Sequence, residues 1–175
     1  SAAFQGGGLV MGWFKGELLG TFLLVFFGCG VVATAVALQA PVGLFQVAIV
    51  WGLGLATAIF LTRKLSGAHL NPAMTLAFAV FTEFPAKRVP AYLAAQFLGA
   101  FLAATAVFGL FGGGIEAFEI ANGIERGVAG SEAIAMIFGE FYPNPGGETL
   151  NEEVRAKVSH ARACFAEFLG TALLA

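Results

Sequence analysis

The stretch LSGAHLNPAMTLAFAV, residues 65–80, holds the side chains whose types and spacing could do chemistry. Ser66 and His69 are close enough in sequence to suggest the nucleophile and base of an intramembrane hydrolase. Such an enzyme also needs an acid that orients the histidine, and no acid lies nearby in sequence. Asn71 and Pro72 indicate something else, because Asn is a favoured helix N-cap and Pro favours the first helical position. We therefore predict a helix that begins at Pro72, in a protein that is not an enzyme.

The composition of the chain is typical of a membrane protein. Of its 175 residues, 58% are apolar and 11% are charged, whereas a soluble domain carries about 25% charged residues. A spanning helix needs about 20 apolar residues, and three segments are long enough, at about residues 10–36, 44–62 and 89–111. The net charge of −2 gives no sign of a nucleic-acid partner, and no residue spacing predicts a metal or another cofactor. The sequence predicts an all-α membrane protein whose partner is the lipid bilayer.

A fourth apolar segment, residues 72–81, is too short to cross the bilayer. As a helix it would cover about 15 Å, half of a hydrocarbon core of about 30 Å. The extended chain from Lys64 to Asn71 could reach about 23 Å, which is enough to bring Asn71 from the membrane surface to the midplane. We therefore predict a re-entrant loop, followed by a half-helix that begins at mid-membrane.

Non-helical backbone is tolerated at this depth only where protein buries it or where it lines a watery cavity. We expect the Asn71 amide to donate to a permeant, beside the carbonyl groups of a four-residue loop: Gly67, Ala68, His69 and Leu70. The positive end of the half-helix dipole would repel cations. Acidic residues are rare inside membranes, so we expect Glu17 to accept N–H groups of this loop, with an interfacial position beside Lys15 as the alternative. Gln96 is expected to make a packing hydrogen bond.

Charged residues predict the orientation of the chain. Two basic pairs flank the predicted re-entrant segment, Arg63 with Lys64 and Lys87 with Arg88. Residues 112–162 hold eight glutamates and four basic residues. Because basic residues concentrate in cytoplasmic loops, we predict a cytoplasmic N-terminus and an acidic loop outside. The second span is expected to stop at Arg63 and Lys64.

Two octapeptides indicate an internal repeat with inverted topology. ELLGTFLL begins at Glu17 and EFLGTALL begins at Glu167, with six identical positions. The predicted topology runs the two copies through the membrane in opposite directions, as in many transporters. Chance similarity between two apolar helices is the alternative. We expect Glu167 to support a second pore loop as Glu17 supports the first.

The chain is interpreted as a single membrane domain, residues 1–175. Its first repeat would cover about residues 10–111 and end at the glycines 112–114. A polar outer loop would follow at 112–148, with a short helix near 131–138, and a second repeat would begin at 149–175 with Thr149 as its N-cap. The last apolar run has 13 residues, too few to span a bilayer. We therefore interpret the chain as the first half of a longer protein and the start of its second half.

Several motifs resemble those of the major intrinsic proteins, the aquaporins and glycerol facilitators. SGAHLNPAMT, residues 66–75, is similar to the first Asn-Pro-Ala signature of that family. GELLGTFLLVFFG resembles its first helix, AAQFLGAFLAA its third, and FYPNP the outer loop of bacterial glycerol facilitators. The resemblance implies an aquaporin-like right-handed helical bundle, here truncated. It also implies a homotetramer in a bacterial inner membrane that passively conducts glycerol, water and other small neutral solutes.

The resemblance also assigns residues to the pore. Trp51 matches a tryptophan in the narrow outer filter of glycerol facilitators, while Asn71, Pro72 and Ala73 match the Asn-Pro-Ala motif. An interfacial tryptophan is the alternative interpretation of Trp51. The family pairs two Asn-Pro-Ala motifs, and this sequence holds one. The predicted function is a channel for glycerol, with a water-selective aquaporin or a non-conducting half-channel that binds other membrane proteins as alternatives.

Overall fold

A computed structural model describes residues 3–127 and 131–139, with side chains from Gly12 onward. Every regular element in these ranges is a helix. The elements are α1 (Ala3–Val36), α2 (Leu44–Ser66), α3 (Pro72–Phe81), a 3₁₀ turn (Ala86–Arg88), α4 (Val89–Asn122) and the single turn α5 (Glu132–Ala135). The predictions for Glu167, for the Thr149 cap and for the FYPNP motif lie outside the described residues.

Three helices are long and apolar enough to cross a membrane: Gly12–Val36, Leu44–Ser66 and Ala86–Asn122. α3 is also apolar, but it has only 10 residues, about half of what a spanning helix needs. α3 begins and ends at the residues that the sequence predicted. The prediction of an all-helical membrane protein with one short apolar helix is thus confirmed for the described part of the chain.

α1 packs closely against both α2 and α4. Glycines make this approach possible. A Cβ built at Gly16 would lie 2.9 Å from the Ser66 side chain of α2, and a Cβ at Gly99 on α4 would overlap the Leu18 carbonyl oxygen of α1. In lipid, helices associate through such close van der Waals packing of small residues. α1 is therefore the helix that holds the described bundle together.

α2 continues beyond the point where the sequence predicted its end. The expected stop at Arg63 and Lys64 is wrong, because the helix runs through both residues to Ser66. Basic side chains in a last turn interact favourably with the negative end of the helix dipole, so they do not break the helix. Gly67 ends α2 with a φ of 89°, a left-handed conformation that glycine adopts without a steric penalty.

α4 is also longer than predicted. The glycines at 112–114 do not end it, and the helix continues to Asn122. Ile115, which directly follows these glycines, is completely buried against the C-terminal half of α1, and this packing holds the helical segment in place. Residues 112–122 therefore belong to α4 and not to an outer loop. A 34-residue helix is about 51 Å long, so α4 exceeds the thickness of a bilayer.

The short helix predicted near residues 131–138 is present as the single turn α5, which is followed by further turns. Ile134 and Ile137 are buried in a cluster with Cys29 and Ala33 of α1 and Ile115 of α4. This part of the connection is packed on the bundle, whereas the sequence predicted a polar loop. Residues three apart lie on the same face of a helical turn, so both isoleucines can contact the bundle from one side.

We predict that Gly99→Ala destabilises the bundle by about 1–3 kcal/mol, because the added methyl group would overlap the α1 backbone. Gly109→Ala on the same helix is the matched control, since nothing lies within 4 Å of a Cβ at that position. Thermal unfolding in detergent micelles measures both variants. Equal losses of stability would contradict a close contact between α1 and α4.

Candidate functional site

The loop between α2 and α3 has a strained backbone. Gly67, Ala68 and Leu70 have φ angles of 89°, 55° and 53°, all in the left-handed region. For a residue with a Cβ, this conformation costs about 1–2 kcal/mol. Such strain persists only where the surroundings over-determine it. The contacts that fix this loop are therefore the natural starting point for the site.

Glu17 provides these contacts. Glu17 belongs to α1, and its side chain is completely buried between the helices. Its oxygens accept the N–H groups of His69 at 3.0 Å and Leu70 at 2.8 Å. The same carboxylate accepts the side-chain amide of Gln96 on α4 at 2.7 Å. Glu17 lies inside the bundle and not at an interface beside Lys15. One side chain thus joins α1, α4 and the loop.

The loop reaches into the interior of the bundle. Leu70 is 3% exposed, and its side chain would overlap a Cβ built at Gly20 of α1. Gly20 lies within the apolar segment of α1 that is long enough to cross a membrane. The non-helical backbone between Ser66 and Pro72 therefore packs against this apolar segment of α1.

α3 then returns to the side from which the loop entered. The ring of Phe84, which follows α3, lies 5.0 Å from the ring of Tyr92 on α4. The Tyr92 hydroxyl donates to the Ser66 carbonyl at the end of α2 at 2.7 Å. The C-terminal end of α2, the C-terminal end of α3 and the start of α4 are therefore neighbours. This places both basic pairs at one end of the bundle.

Asn71 begins the half-helix through its side chain. Its Oδ1 accepts the Ala73 N–H at 2.7 Å, and Pro72 occupies the first helical position. The Asn71 carbonyl accepts both the N–H of Thr75 at 3.0 Å and its hydroxyl at 3.1 Å. The Asn71 Nδ2 group makes no hydrogen bond with any residue that the structure describes. One half of the amide is thus used for the cap, and the other half remains available as a donor.

A second link ties the start of α3 to α4. The Gln96 amide donates to the Thr75 hydroxyl at 2.9 Å as well as to Glu17. Nδ1 of His69 lies 3.2 Å from the same hydroxyl. Because the single hydroxyl hydrogen of Thr75 points to the Asn71 carbonyl, all these contacts are satisfied together when Nδ1 of His69 carries a hydrogen. Both ends of the strained loop are therefore held by the same buried polar network.

The carbonyl groups of the loop are its unpaired polar groups. Within residues 3–127 and 131–139, no hydrogen bond reaches the carbonyl oxygens of Gly67, Ala68, His69 or Leu70. Gly67 is exposed, Ala68 and His69 are half-buried, and Leu70 is buried. Four consecutive unpaired acceptors beside the Asn71 donor form a polar strip on an otherwise apolar bundle. This strip is the candidate site.

The same geometry leaves no hydrolase pair. The Ser66 hydroxyl accepts the N–H of Ala68 at 3.0 Å, while His69 contacts Thr75. The His69 ring also packs against three aromatic rings at 4.6–4.9 Å: Phe78, Phe84 and Tyr92. Ser66 and His69 therefore serve the loop structure, and the nucleophile–base pairing required of a hydrolase is not formed.

Trp51 lies at a second level of the bundle. Its half-buried side chain contacts α1 at Gly28, where a Cβ would overlap the indole ring. Leu70 contacts the same helix at Gly20, about 12 Å lower along its axis. Trp51 and the loop before Asn71 therefore pack against α1 at two separate levels and do not contact each other.

Three residues that shape the candidate site were not identified from the sequence: Thr75, Tyr92 and Gly28. The sequence could have indicated Thr75, because it is a polar residue one helical turn after Asn71 in an apolar segment. Gln96 was expected only to make a packing hydrogen bond, and it proves to link Glu17 with Thr75. Gly28 had no signal in the sequence, since one glycine among many in an apolar helix does not indicate which side chain lies against it.

Fold and site together define a membrane-embedded helical bundle with a capped half-helix inside it. Residues 10–142 match the sequence profile of the major intrinsic proteins. The chain belongs to this family, as the resemblance of its motifs implied.

Individual relatives agree with this assignment. The chain is 44% identical over 129 residues to the glycerol uptake facilitator protein of Pseudomonas aeruginosa, covering 74% of this chain and 46% of the relative. It is 45% identical over 130 residues to that of Haemophilus influenzae, covering 74% and 49%. The X-ray structure of the aquaglyceroporin from Plasmodium falciparum is similar with a TM-score of 0.55 and 37% identity, covering 65% of this chain and 45% of that one. The chain therefore spans about half the length of the relatives it matches.

We predict that Glu17→Gln destabilises the loop by about 1–3 kcal/mol, because the new amide would turn a donor toward buried N–H groups. Hydrogen exchange at the His69 and Leu70 amides should become faster, and thermal unfolding in detergent should begin at a lower temperature. Glu116→Gln is the matched control, since that exposed glutamate on α4 is not part of the network. Unchanged exchange at both amides would contradict the role of Glu17.

Proposed function

We propose that the chain forms part of a passive transmembrane channel for glycerol, other small neutral solutes and water. The observation that carries this proposal is the polar strip, with its four unpaired carbonyl groups and the Asn71 amide. It runs from the exposed Gly67 to the buried Leu70 and the half-buried Asn71. A permeating hydroxyl group can donate to the carbonyl oxygens and accept from the amide. A small polyol or a water molecule thus exchanges its hydrogen bonds with bulk water for equivalent ones, which keeps the barrier to passage low.

The N–H groups of the loop explain why the carbonyl groups are available. The His69 and Leu70 N–H groups are both turned toward Glu17. With the donors held on the α1 side, the acceptors are left for the permeant. Glu17 is therefore proposed as the structural support of the pore loop, and Glu167 as its counterpart in the second repeat. The pore-lining residues are proposed to be Gly67 to Ala73.

The start of α3 supports selection against cations. The N-terminus of a helix carries the equivalent of about +0.5 elementary charge, and the neutral Asn71 does not cancel it. The acidic side chain nearest to this terminus among the described residues is Glu17, whose carboxylate is turned to the His69 and Leu70 N–H groups and to the Gln96 amide. A cation that approaches the half-helix therefore meets a positive potential, while a neutral solute does not.

Trp51 is proposed to line a narrow filter that favours glycerol. A tryptophan offers a large apolar face, against which the carbon backbone of a polyol can pack while its hydroxyl groups face polar atoms. Relatives described as glycerol uptake facilitators and a propanediol uptake facilitator support a polyol substrate. Water is proposed as a second permeant of the same path.

Completion of the channel and its assembly are also part of the proposal. Because the chain spans about half of its relatives' length, a second half with its own re-entrant loop is proposed to close the pore in the full-length protein. The first repeat then ends with α4, and the second begins at about residue 149. A homotetramer in a bacterial inner membrane is proposed, with Arg63, Lys64, Lys87 and Arg88 on the cytoplasmic side.

Flux through the full-length protein tests the proposal. In vesicles, light scattering after an osmotic step should show glycerol entry well above that of protein-free vesicles.

Trp51→Ala should raise the rate of entry of a five-carbon polyol relative to that of glycerol by about tenfold, because a smaller side chain widens the filter. Absence of both glycerol and water flux would leave the non-conducting alternative. Water flux without glycerol flux would favour a water-selective channel.

We predict that Asn71→Asp raises the sodium or proton leak of such vesicles by about two- to fivefold, since a charge at a helix terminus is worth about 0.3–1 kcal/mol. Asp is also a good N-cap, so α3 should still form. Asn122→Asp at the exposed end of α4 is the matched control. An unchanged leak in Asn71→Asp would contradict cation exclusion by the half-helix.

A further inference from the structure

The contact between Gly28 and Trp51 differs from the other glycine contacts of α1. A Cβ at Gly28 would overlap three consecutive atoms of the indole ring, Cε2, Cζ2 and Cη2. At Gly16 and Gly20 the overlapping atoms belong to small or flexible side chains: Leu65, Ser66, Thr62 and Leu70. The indole ring is rigid and has only two side-chain torsions. A group added at position 28 therefore has to displace the whole ring edge.

α1 and α2 are in close contact beside Trp51. On the neighbouring turn, the contact is reciprocal, because a Cβ at Gly54 of α2 would lie 3.0 Å from the Cβ of Phe27 on α1. Gly16 lies equally close to the last turn of α2. Between Trp51 and the C-terminal end of α2, the two helices therefore lie in close contact at two levels. The position of the ring relative to α1 is set by the lack of a side chain at residue 28.

We propose that Gly28 is a specificity-determining residue, which acts by letting the Trp51 ring lie directly against the α1 backbone. The proposal rests on the proposed function, in which the half-buried Trp51 lines the filter. Gly28 would itself make no contact with the solute. It is a positioning residue that keeps the indole ring on the wall of the conduit, so that the remaining opening admits a three-carbon polyol. Any larger side chain at position 28 pushes the ring away from α1 and narrows the opening.

The test measures flux of glycerol and water in vesicles with the full-length protein. Gly28→Ala should lower glycerol permeability by about tenfold, the effect of one methylene in a fitted pocket, and should lower water permeability less because water is smaller. Gly30→Ala is the matched control on the same helix, since nothing lies within 4 Å of a Cβ there. It should leave both fluxes unchanged.

A double variant shows whether position 28 acts through Trp51. Gly28→Ala combined with Trp51→Phe should recover glycerol flux, because the smaller ring leaves room for the methyl group. In a Trp51→Ala background, Gly28→Ala should change nothing further. If Gly28→Ala alone does not fold, recovery of folding and glycerol flux in the double variant with Trp51→Phe supports the proposal, and failure to recover overturns it.

The remaining outcomes separate this proposal from the proposed function. Unchanged glycerol flux in Gly28→Ala, or an equal loss in Gly30→Ala, overturns the role of Gly28 while glycerol conduction by the wild-type protein still stands. If Trp51→Ala itself leaves solute selection unchanged, the filter role of Trp51 fails and the role of Gly28 fails with it. If the wild-type protein conducts neither solute, the channel itself is refuted.

Discussion

The hydrogen bonds from the loop N–H groups to Glu17 are the interaction on which the rest of the structure depends. An unpaired N–H group that is buried among helices costs several kcal/mol, and the His69 and Leu70 N–H groups are turned toward α1, where Glu17 is their acceptor. The Glu17 carboxylate accepts two such groups and the Gln96 amide. This arrangement compensates the left-handed conformations of Ala68 and Leu70. Without it, the backbone between α2 and α3 would have to be helical or leave the bundle.

Close helix packing makes these hydrogen bonds possible. Glu17 has a short side chain, so it reaches the loop and α4 only if all three segments approach closely. Gly16, Gly20 and Gly99 provide that approach, because side chains at these positions would overlap α2, the loop and α1, respectively. Packing and hydrogen bonding are therefore coupled: the glycines position the carboxylate, and the carboxylate holds the loop that fills the space between the helices. In lipid, helices gain little from the hydrophobic effect, so both close packing and buried hydrogen bonds are needed to hold them together.

The buried network also determines which polar groups are left for function. Asn71 uses its side-chain oxygen for the cap and keeps its amide hydrogens, while Glu17 takes the donors of the loop and leaves its acceptors. The result is a neutral polar surface at one level of the bundle. A large aromatic side chain lies about 12 Å away along the same helix. In the proposed channel, hydrogen-bond exchange and size selection would therefore take place at different levels, and the groups proposed for both contact α1.

The sequence by itself determined the elements whose causes are local. The start of α3 at Pro72 follows from the Asn-Pro step, and the three spans follow from apolar length, because caps and hydrophobic lengths act over a few neighbouring residues. The same local rules failed where burial overrode them. The glycines 112–114 did not stop α4, since Ile115 packs on a helix far away in sequence. The basic residues Arg63 and Lys64 did not stop α2, because the cap at Gly67 decides that boundary.

Only the tertiary structure decided the contacts within the site. Glu17 is 52 residues from His69 and 79 residues from Gln96 along the chain. The sequence shows that such a carboxylate needs donors, but not which donors come within 3 Å. The link between Thr75 and Gln96 and the contact of Trp51 with Gly28 depend in the same way on how three helices meet. The residue type determines which hydrogen bonds or packing contacts a side chain can make. Which partner it finds depends on the distances between segments that are remote in sequence, and those distances are set only when the helices pack.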